Sequence, residues 1–554
     1  MPNVELQEAW ESLSEEEKLE CESISLSLWC RNRINKIDNR IFSFDSFPHL
    51  KAIYQDKTQK IVSEKSAQQG LTVYGVSESF HGTWSGQNRL YFFPTAGLVS
   101  KFVQGRYDVL VQNNPKIAEL ITKTDNTTLK KIGRGVIYFS GLGSATSKGG
   151  EYDVISVPVD GITFDEYEKM KPIKVKEAME RMEASPLKLI RMFSTPGLPN
   201  YGINAEFVLS DQKYWNMKCG HCGKWNVYDD VDDKGQPVGF PKCIEQGFLA
   251  CFKCGKQLEH DKAEWVAKFP DIKDVSGYHV SRLYSKFADH KKILKDFNEC
   301  GSTSEKAVFF NNTLGIPYLD ETQRLNYQEI LKLCGSHAML SSAVGTYMGI
   351  DVGDLKGIHI TIIRPSKTKL FELVYAEVYK MVDPNDPMAI EVFKAYIKQL
   401  VSKYGVRKFG IDAMPQTMVS RAIVNACGGK GWMVRYEDSQ KGPYEWKEDI
   451  KEVRVNRTES LDRTMFILKN KHMELPKRTD LIEQMAREYC NIVKTLEEDP
   501  DTGKKEYYYK KIGPEDFLHS LNYSLVCGYS GQQAFNPKAM FKTAPEKIRE
   551  LMKQ

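Results

Sequence analysis

Apolar positions recur along the chain with two spacings, and the change from one to the other marks its parts. Residues 1 to about 45 place apolar side chains at helical intervals among many charges, which predicts an N-terminal helical segment. From residue 43 the stretch SFDSFPHLKAIYQDKTQKIVSEKSAQQGLT turns aromatic, then passes through a short apolar strand into a loop of small residues. Between about 90 and 200 short β-rich runs (NRLYFFP, GVIYFSG, DGITFDE, LIRMFST) alternate with longer helical stretches. That alternation predicts βα units on a mainly parallel sheet, an α/β class.

Residues 216–258 hold paired cysteines among Gly, Lys and aromatics, a stretch too short for a core of its own. A mixed region, 259–335, completes the first domain, and the small residues of 336–345 read as a linker. Three β-rich runs follow, TYMGIDVG, GIHITIIR and ELVYAEVYKMV, and predict an antiparallel meander. After them come a helix (about 388–403), strands at KFGIDA and GWMVRYE, a helix (478–490), a hairpin turning at DPDTGKK and a last helix (514–528). Three strands followed by alternating helices and strands is the pattern of an RNase H-like domain. It should occupy 346–535 and leave a basic tail, 536–554, with five Lys/Arg against two Glu.

Composition narrows the function classes. With 554 residues, at roughly 150 per domain, the chain holds three or four domains. Its 77 basic and 73 acidic residues nearly cancel to +4, so any nucleic-acid contact must come from local patches and not from bulk charge. Hydrophobic content of 41% and the lack of a long apolar run predict a chain that does not cross a membrane. The acidic, amphipathic start is unlike a secretory signal, so the twelve cysteines are expected in a reducing compartment, where clusters bind metal more often than they form disulfides.

Cys219-x-x-Cys222 and Cys251-x-x-Cys254 form two Cys-Gly knuckles whose thiolates can close a tetrahedral Zn²⁺ shell. The 28 residues between the pairs (223–250) exceed the usual ribbon spacing, and an intervening β-hairpin is expected there. Cys243 is then a spare, and His221 is an alternative ligand. Four thiolates leave no open position, so the site is structural and the ribbon should scaffold or contact DNA.

KSAQQGLT (65–72) departs from the usual phosphate loop: it keeps the second Gly and the hydroxyl but places Leu71 where Lys belongs. Lys65, at the other end of the loop, can reach the β/γ-phosphates from there. Thr72 would ligate Mg²⁺, and N–H groups from Gln69 to Thr72 would cradle phosphate at a helix N-terminus, although a plain strand-to-helix turn has the same pattern. About 95 residues after Gly70 an apolar run ends in Asp165-Glu166, one acid to hold Mg²⁺ and the next to orient the attacking water. A solvated helix start is the plain alternative. Ser194 and Thr195 in MFSTPG end another strand, where hydroxyls can sense the γ-phosphate.

Near the C-terminus, Asp351 sits mid-strand in MGIDVG, Asp412 ends KFGID, and Asp516 opens the last helix with His519 on the same side. Each has an ordinary explanation alone, a helix cap for Asp516 among them. Together they fit a set of ligands for two divalent ions about 4 Å apart that direct water onto a phosphodiester. Asp354 reads as a turn residue.

The ordered set KSAQQGLT, FFPTAGL, ITFDEYEKM, STPG, paired Cys-x-x-Cys, NNTLGIPY and GIDVG resembles the large terminase subunit of tailed bacteriophages, in its lambda-like subgroup with a zinc ribbon after the ATPase motifs. The resemblance spans about 45–530, and that family also carries the displaced lysine. It implies a P-loop ATPase core (46–215), a zinc ribbon (216–258) and an RNase H-like nuclease. It places ATP on Lys65, Ser66, Gln69, Gly70 and Thr72, Mg²⁺ and water activation on Asp165 and Glu166, and coupling on Ser194 and Thr195. The γ-phosphate arginine it implies is assigned to Arg106 in QGRYD, with Arg134 and Arg191 as competitors. Asp351, Asp412 and Asp516 would hold Mg²⁺ or Mn²⁺, with Glu515 or His519 sharing the third position. The implied activity is ATP-driven translocation of double-stranded DNA into a prohead and endonucleolytic cutting of concatemers. The implied partners are a small terminase subunit, a portal and further copies in a pentameric ring, in the cytoplasm of an infected host and not in the mature virion. A zinc-ribbon DNA-binding scaffold with a decayed ATPase, or a helicase or transposase-like protein with an RNase H-type domain, is the alternative, and Leu71 is the residue that favours decay.

Overall fold

The computed structural model describes residues 10–37, 40–45, 47–142, 157–228, 237–260, 262–319, 324–353, 357–381, 386–437, 440, 444–498 and 505–529. The basic tail, Asp354 and the turn of the DPDTGKK hairpin lie outside them. The chain divides into two compact units, Met1–Asp320 with Pro500–Thr502 and Glu321–Asp499 with Gly503–Gln554.

The first unit is built on an eleven-stranded sheet. Its strands are β1 (Lys60–Lys65), β2 (Arg89–Phe93), β3 (Ile121–Asp125), β4 (Leu129–Ile132), β5 (Gly135–Gly141), β6 (Gly161–Asp165), β7 (Leu189–Ser194), β8 (Lys213–Lys218), β9 (Trp225–Asn226), β10 (Ala263–Ala267) and β11 (Val275–Val280). The order is β9-β8-β11-β1-β7-β6-β2-β5-β4-β3, with β10 on β8. The stretch β11-β1-β7-β6-β2 is parallel throughout. Strands β2 and β6 are buried at every position, because helices cover both faces, and this is why they read as unbroken apolar runs. The β3-β4-β5 extension is antiparallel and was not anticipated from the alternation.

Helix α1 (Leu71–Trp84) follows β1 directly. Its buried Leu71, Tyr74 and Phe80 meet Trp29, Cys30 and Ile34, so the N-terminal helices Glu15–Ile24 and Leu26–Arg33 share the sheet's core through the second of them. The cysteine insertion also borrows its core: Met217, Phe240, Ile244 and Leu249 pack with Leu283, Phe309 and Leu314. No β-hairpin separates its knuckles among the described residues; β9 and the short turn Lys242–Ile244 are found there instead.

The second unit starts earlier than the small-residue stretch suggests. Leu325, Ile330 and Leu333 are buried in its core, so 324–335 belongs here and not to the first unit. Residues 336–345 are docked as well, through Leu340 N–H to Val374 and Lys477 N–H to His337. Its sheet comprises β12 (Thr346–Asp351), β13 (Ile358–Pro365), β14 (Phe371–Tyr379), β15 (Val406–Asp412), β16 (Gly431–Tyr436), β17 (Glu445–Lys447), β18 (Glu452–Val455) and β19 (Met473–Glu474). The order is β17-β18-β16-β15-β12-β13-β14-β19. An antiparallel meander β12-β13-β14 with β15 and β16 added parallel on the other side of β12 is the RNase H-like arrangement. Helix α2 (Asp480–Tyr489) and helix α3 (Asp516–Gly528) follow, flanking the hairpin Ile492–Glu498 and Lys505–Lys511.

Candidate functional sites

In the first unit β1 ends at Lys65, and the loop turns into α1 through Gln68 (φ 62°) and Gly70 (φ 80°). A Cβ on Gly70 would lie 2.9 Å from Leu50 Cδ1, so both backbone hand and packing demand glycine. The loop is braced from outside: Ser66 N–H donates to Val280 O (2.7 Å) and Ala67 N–H to Asn312 O (2.8 Å). Gly315 lets NNTLG approach, since a Cβ there would lie 2.7 Å from Ser66 N. The NNTLGIPY motif therefore buttresses the loop.

Strand β6, two strands away, brings its acids to the same place. Lys65 Nζ lies 3.5 Å from Glu166 Oε1. Asp165 is 2% exposed, accepts a hydrogen bond from Tyr91 Oη (3.0 Å) and is bonded by the Thr72 side chain. Burial pushes its pKa up to about 6 and Glu166 adds to this, against the opposing pull of Lys65 and the two hydroxyls. A carboxyl so placed, with Oδ1 buried and unpartnered, is suited to a cation. Glu166 takes a left-handed conformation (φ 61°, ψ 45°), and its N–H donates to Phe193 O. Strain at a non-glycine of this kind persists only where the surroundings enforce it. Ser194 Oγ accepts from Glu168 N–H (3.2 Å), so the end of β7 is tied to the loop after Glu166, while Thr195 is half-buried beside it.

Arg191 is buried and held by Glu78 (3.4 Å) and by the carbonyls of Thr58, Gln59 and Ile190, so it braces the sheet. Arg134 is exposed in the turn between β4 and β5. Arg106 is exposed on the π-turn Val103–Tyr107 and lines the same cavity as Lys65 and Gln68–Val73. That cavity, about 940 Å³, is also walled by Phe42, Phe44, Tyr54 and Phe287, an aromatic lining large enough for a nucleotide base. Sequence reasoning missed these rings; the aromatic run before β1 signals three of them, and Phe287 has no signal there.

At the knuckles, Cys219, Cys222, Cys251 and Cys254 bring their sulfurs within 4.8 Å of one another. The pairs Cys219–Cys254 and Cys222–Cys251 are 3.6 Å apart. A disulfide needs ~2.05 Å, whereas Zn–S bonds of ~2.3 Å in a tetrahedron set edges of ~3.8 Å. N–H groups of Cys222 and His221 lower the Cys219 pKa. Burial opposes the same effect at Cys251, but the N–H groups of Cys254 and Lys253 prevail and hold it at about 6. The donor set fits Zn²⁺. Cys243 is buried in the adjoining core.

In the second unit two glycines set the acids. A Cβ on Gly349 would lie 1.8 Å from Ser520 O and one on Gly410 3.1 Å from Tyr523 O, so α3 rests directly on β12 and β15. Each glycine stands two residues before its aspartate. The parallel register Ile350↔Ile411 sets Asp351 beside Asp412, and α3 delivers Asp516. Burial raises the Asp351 pKa to about 7, with Asp412 and Asp516 adding to the rise and His519 opposing it. Asp412 is raised for the same first reason.

The three aspartates thus sense one another, but their oxygens do not all fall within 4.8 Å; among the described residues the convergent set in this unit is His359, Glu488 and Asp516. Glu515 is paired with Arg457 (3.7 Å) and His519 (3.4 Å), which outweigh its burial and lower its pKa. His519 Nδ1 meets Tyr436 Oη at 2.7 Å.

A parallel sheet ordered 5-1-4-3-2 from the phosphate loop, with paired acids on its third strand, defines a P-loop ATPase, here joined to an RNase H-like domain. Residues 48–269 match the family model of the phage terminase large subunit gpA, ATPase domain, so the first unit carries a terminase ATPase domain. No curated protein matches the chain. Among solved structures, the large terminase of bacteriophage HK97 is similar over 90% of this chain and 98% of its own, with 10% identity and a TM-score of 0.53, a likeness of fold. The large terminase of a thermophilic bacteriophage covers 84% of this chain and 93% of its own at 11% identity, TM-score 0.29. The Phi-28 gp11 DNA packaging motor covers 80% and 96% at 10% identity, TM-score 0.29. No described helix is long and apolar enough to cross a membrane.

Proposed function

We propose that this chain is the motor-nuclease of a phage DNA-packaging machine. The first unit would bind ATP on Lys65, Ser66, Gln69, Gly70 and Thr72, hold Mg²⁺ with Thr72 and Asp165, and use Glu166 to orient the attacking water. Bound Mg²⁺ would neutralise charge on the phosphates. Lys65 supplies the cation that Leu71 does not, and its approach to Glu166 supports a working loop over a decayed one. Arg106 is the arginine for the γ-phosphate. Ser194 and Thr195 would pass its loss onward, because β7 is tied to the Glu166 loop.

What supports the nuclease half is that Asp351 and Asp412 end neighbouring strands of an RNase H-like sheet and Asp516 opens α3, near enough that Asp412 and Asp516 add to the rise to about 7 that burial gives Asp351. Acids that raise one another's pKa favour divalent cations, Mg²⁺ or Mn²⁺, that activate water for in-line attack on a phosphodiester. Double-stranded DNA is the substrate. A small terminase subunit, a portal and a pentameric ring in the infected host's cytoplasm complete the machine, and the zinc ribbon after the ATPase motifs supports the lambda-like subgroup. The test is DNA cleavage with Mn²⁺ or Mg²⁺ by the purified chain, expected to vanish in Asp351→Asn while DNA-stimulated ATP hydrolysis remains.

A further inference from the structure

The geometry points to a cation site made by His359, Glu488 and Asp516, in which a nitrogen-accepting divalent ion such as Mn²⁺ sits beside the aspartate cluster and shares Asp516 with it. It deepens the nuclease reading and rests on it for its purpose, though not for its existence.

The placement follows from strand register. Strands β12 and β13 are antiparallel with Asp351 opposite His359, so both side chains emerge on one face. Helix α2 contributes Glu488 from its last turn, and α3 contributes Asp516 from its first. One ligand atom from each of His359, Glu488 and Asp516 falls within 4.8 Å of the other two. Donors on a single ion with bonds of ~2.1 Å lie ~3 to ~4.3 Å apart, so small movements close the shell.

The imidazole is the independent observation. His359 is 8% exposed, its Nδ1 is buried without a partner, and its closest charged oxygen, Glu488 Oε1, is 4.0 Å from Nε2. That is too long for a hydrogen bond. The ring is nevertheless fixed, edge-on to Phe517 at 4.6 Å.

Glu488 is fixed too: its Oε1 accepts from Gln484 Nε2 and its Oε2 from Phe517 N–H, both at 2.9 Å. Each oxygen keeps a lone pair, the arrangement in which ligating carboxylates are held by outer hydrogen bonds. One imidazole with two carboxylates suits Mn²⁺ better than Mg²⁺, which prefers an all-oxygen shell.

The experiment is a Mn²⁺ titration of the full-length, zinc-loaded, nucleotide-free chain, following free Mn²⁺ by electron paramagnetic resonance. The wild-type chain is expected to take up one more Mn²⁺ than His359→Ala, or to hold it at least tenfold more tightly. Glu488→Gln, which keeps an acceptor for Phe517 N–H, should show a similar loss, and Asp351→Asn should keep this ion. Equal uptake by wild type and His359→Ala overturns the site. Should His359→Ala not fold, anomalous scattering from a Mn²⁺-soaked wild-type crystal decides: a peak between the three side chains supports the site and none overturns it. DNA cleavage without this Mn²⁺ uptake sinks the site and leaves the nuclease reading. Uptake without cleavage sinks that reading and leaves the site.

Discussion

Lys65 stands at the head of the loop where the ordinary pattern has glycine, and Leu71 stands where the lysine belongs. The ammonium nevertheless reaches Glu166, and Leu71 is 1% exposed in the core. Glu166→Gln should therefore lower DNA-stimulated ATP hydrolysis by ~100-fold or more, the usual worth of a general base, as measured by phosphate release. Lys65→Ala should do likewise. A second residue-scale prediction concerns pH. Asp351 is raised to about 7 from 3.8, so the metal-free fold keeps a proton that the unfolded chain has released between those values. The associated stability is complete below about 4 and is lost as pH rises through 7. Metal-free melting temperature should fall across that window, and Asp351→Asn should flatten the fall. A melting temperature that rises there instead would contradict the burial of this acid.

At the scale of elements, two glycines and four cysteines position the chemistry. Gly349→Ala would drive a methyl into the backbone of α3, an overpacking that costs ~1–3 kcal/mol or more. DNA cleavage should drop with stability, while ATP hydrolysis stays near wild type; calorimetry and both assays check this. Removing Zn²⁺ should unravel the knuckles and loosen the core they share with Phe309 and Leu314, hence the NNTLG buttress under the phosphate loop. The ATP concentration for half-maximal hydrolysis is expected to rise after chelation and to recover with added Zn²⁺.

Strands β1, β2, β5–β7 and β12–β16 were legible because their burial leaves apolar runs such as RLYFF and GITFD, whereas β8–β11 and β17–β19 were not read from the sequence. The β3-β4 extension was not, since LKKI is short and charged. The cysteine spacing was legible from sequence, whereas the hairpin expected inside it is not found among the described residues, and the insertion packs on Leu283 and Phe309. His359 and Glu488 escaped notice because their meeting depends on register and on a helix more than a hundred residues away. Counting across the Asp351 hairpin would have found the histidine.

For the whole molecule, the ATPase and the proposed nuclease lie in separate compact units of one chain and should be separable. The most direct test assays a single preparation of wild type, Glu166→Gln and Asp351→Asn for DNA-stimulated ATP hydrolysis and for Mn²⁺-dependent cutting of double-stranded DNA. Wild type should do both, Glu166→Gln should cut without hydrolysing ATP, and Asp351→Asn should hydrolyse ATP without cutting. A wild-type chain that hydrolyses no ATP in the presence of DNA, or an Asp351→Asn chain that still cuts, would contradict this assignment.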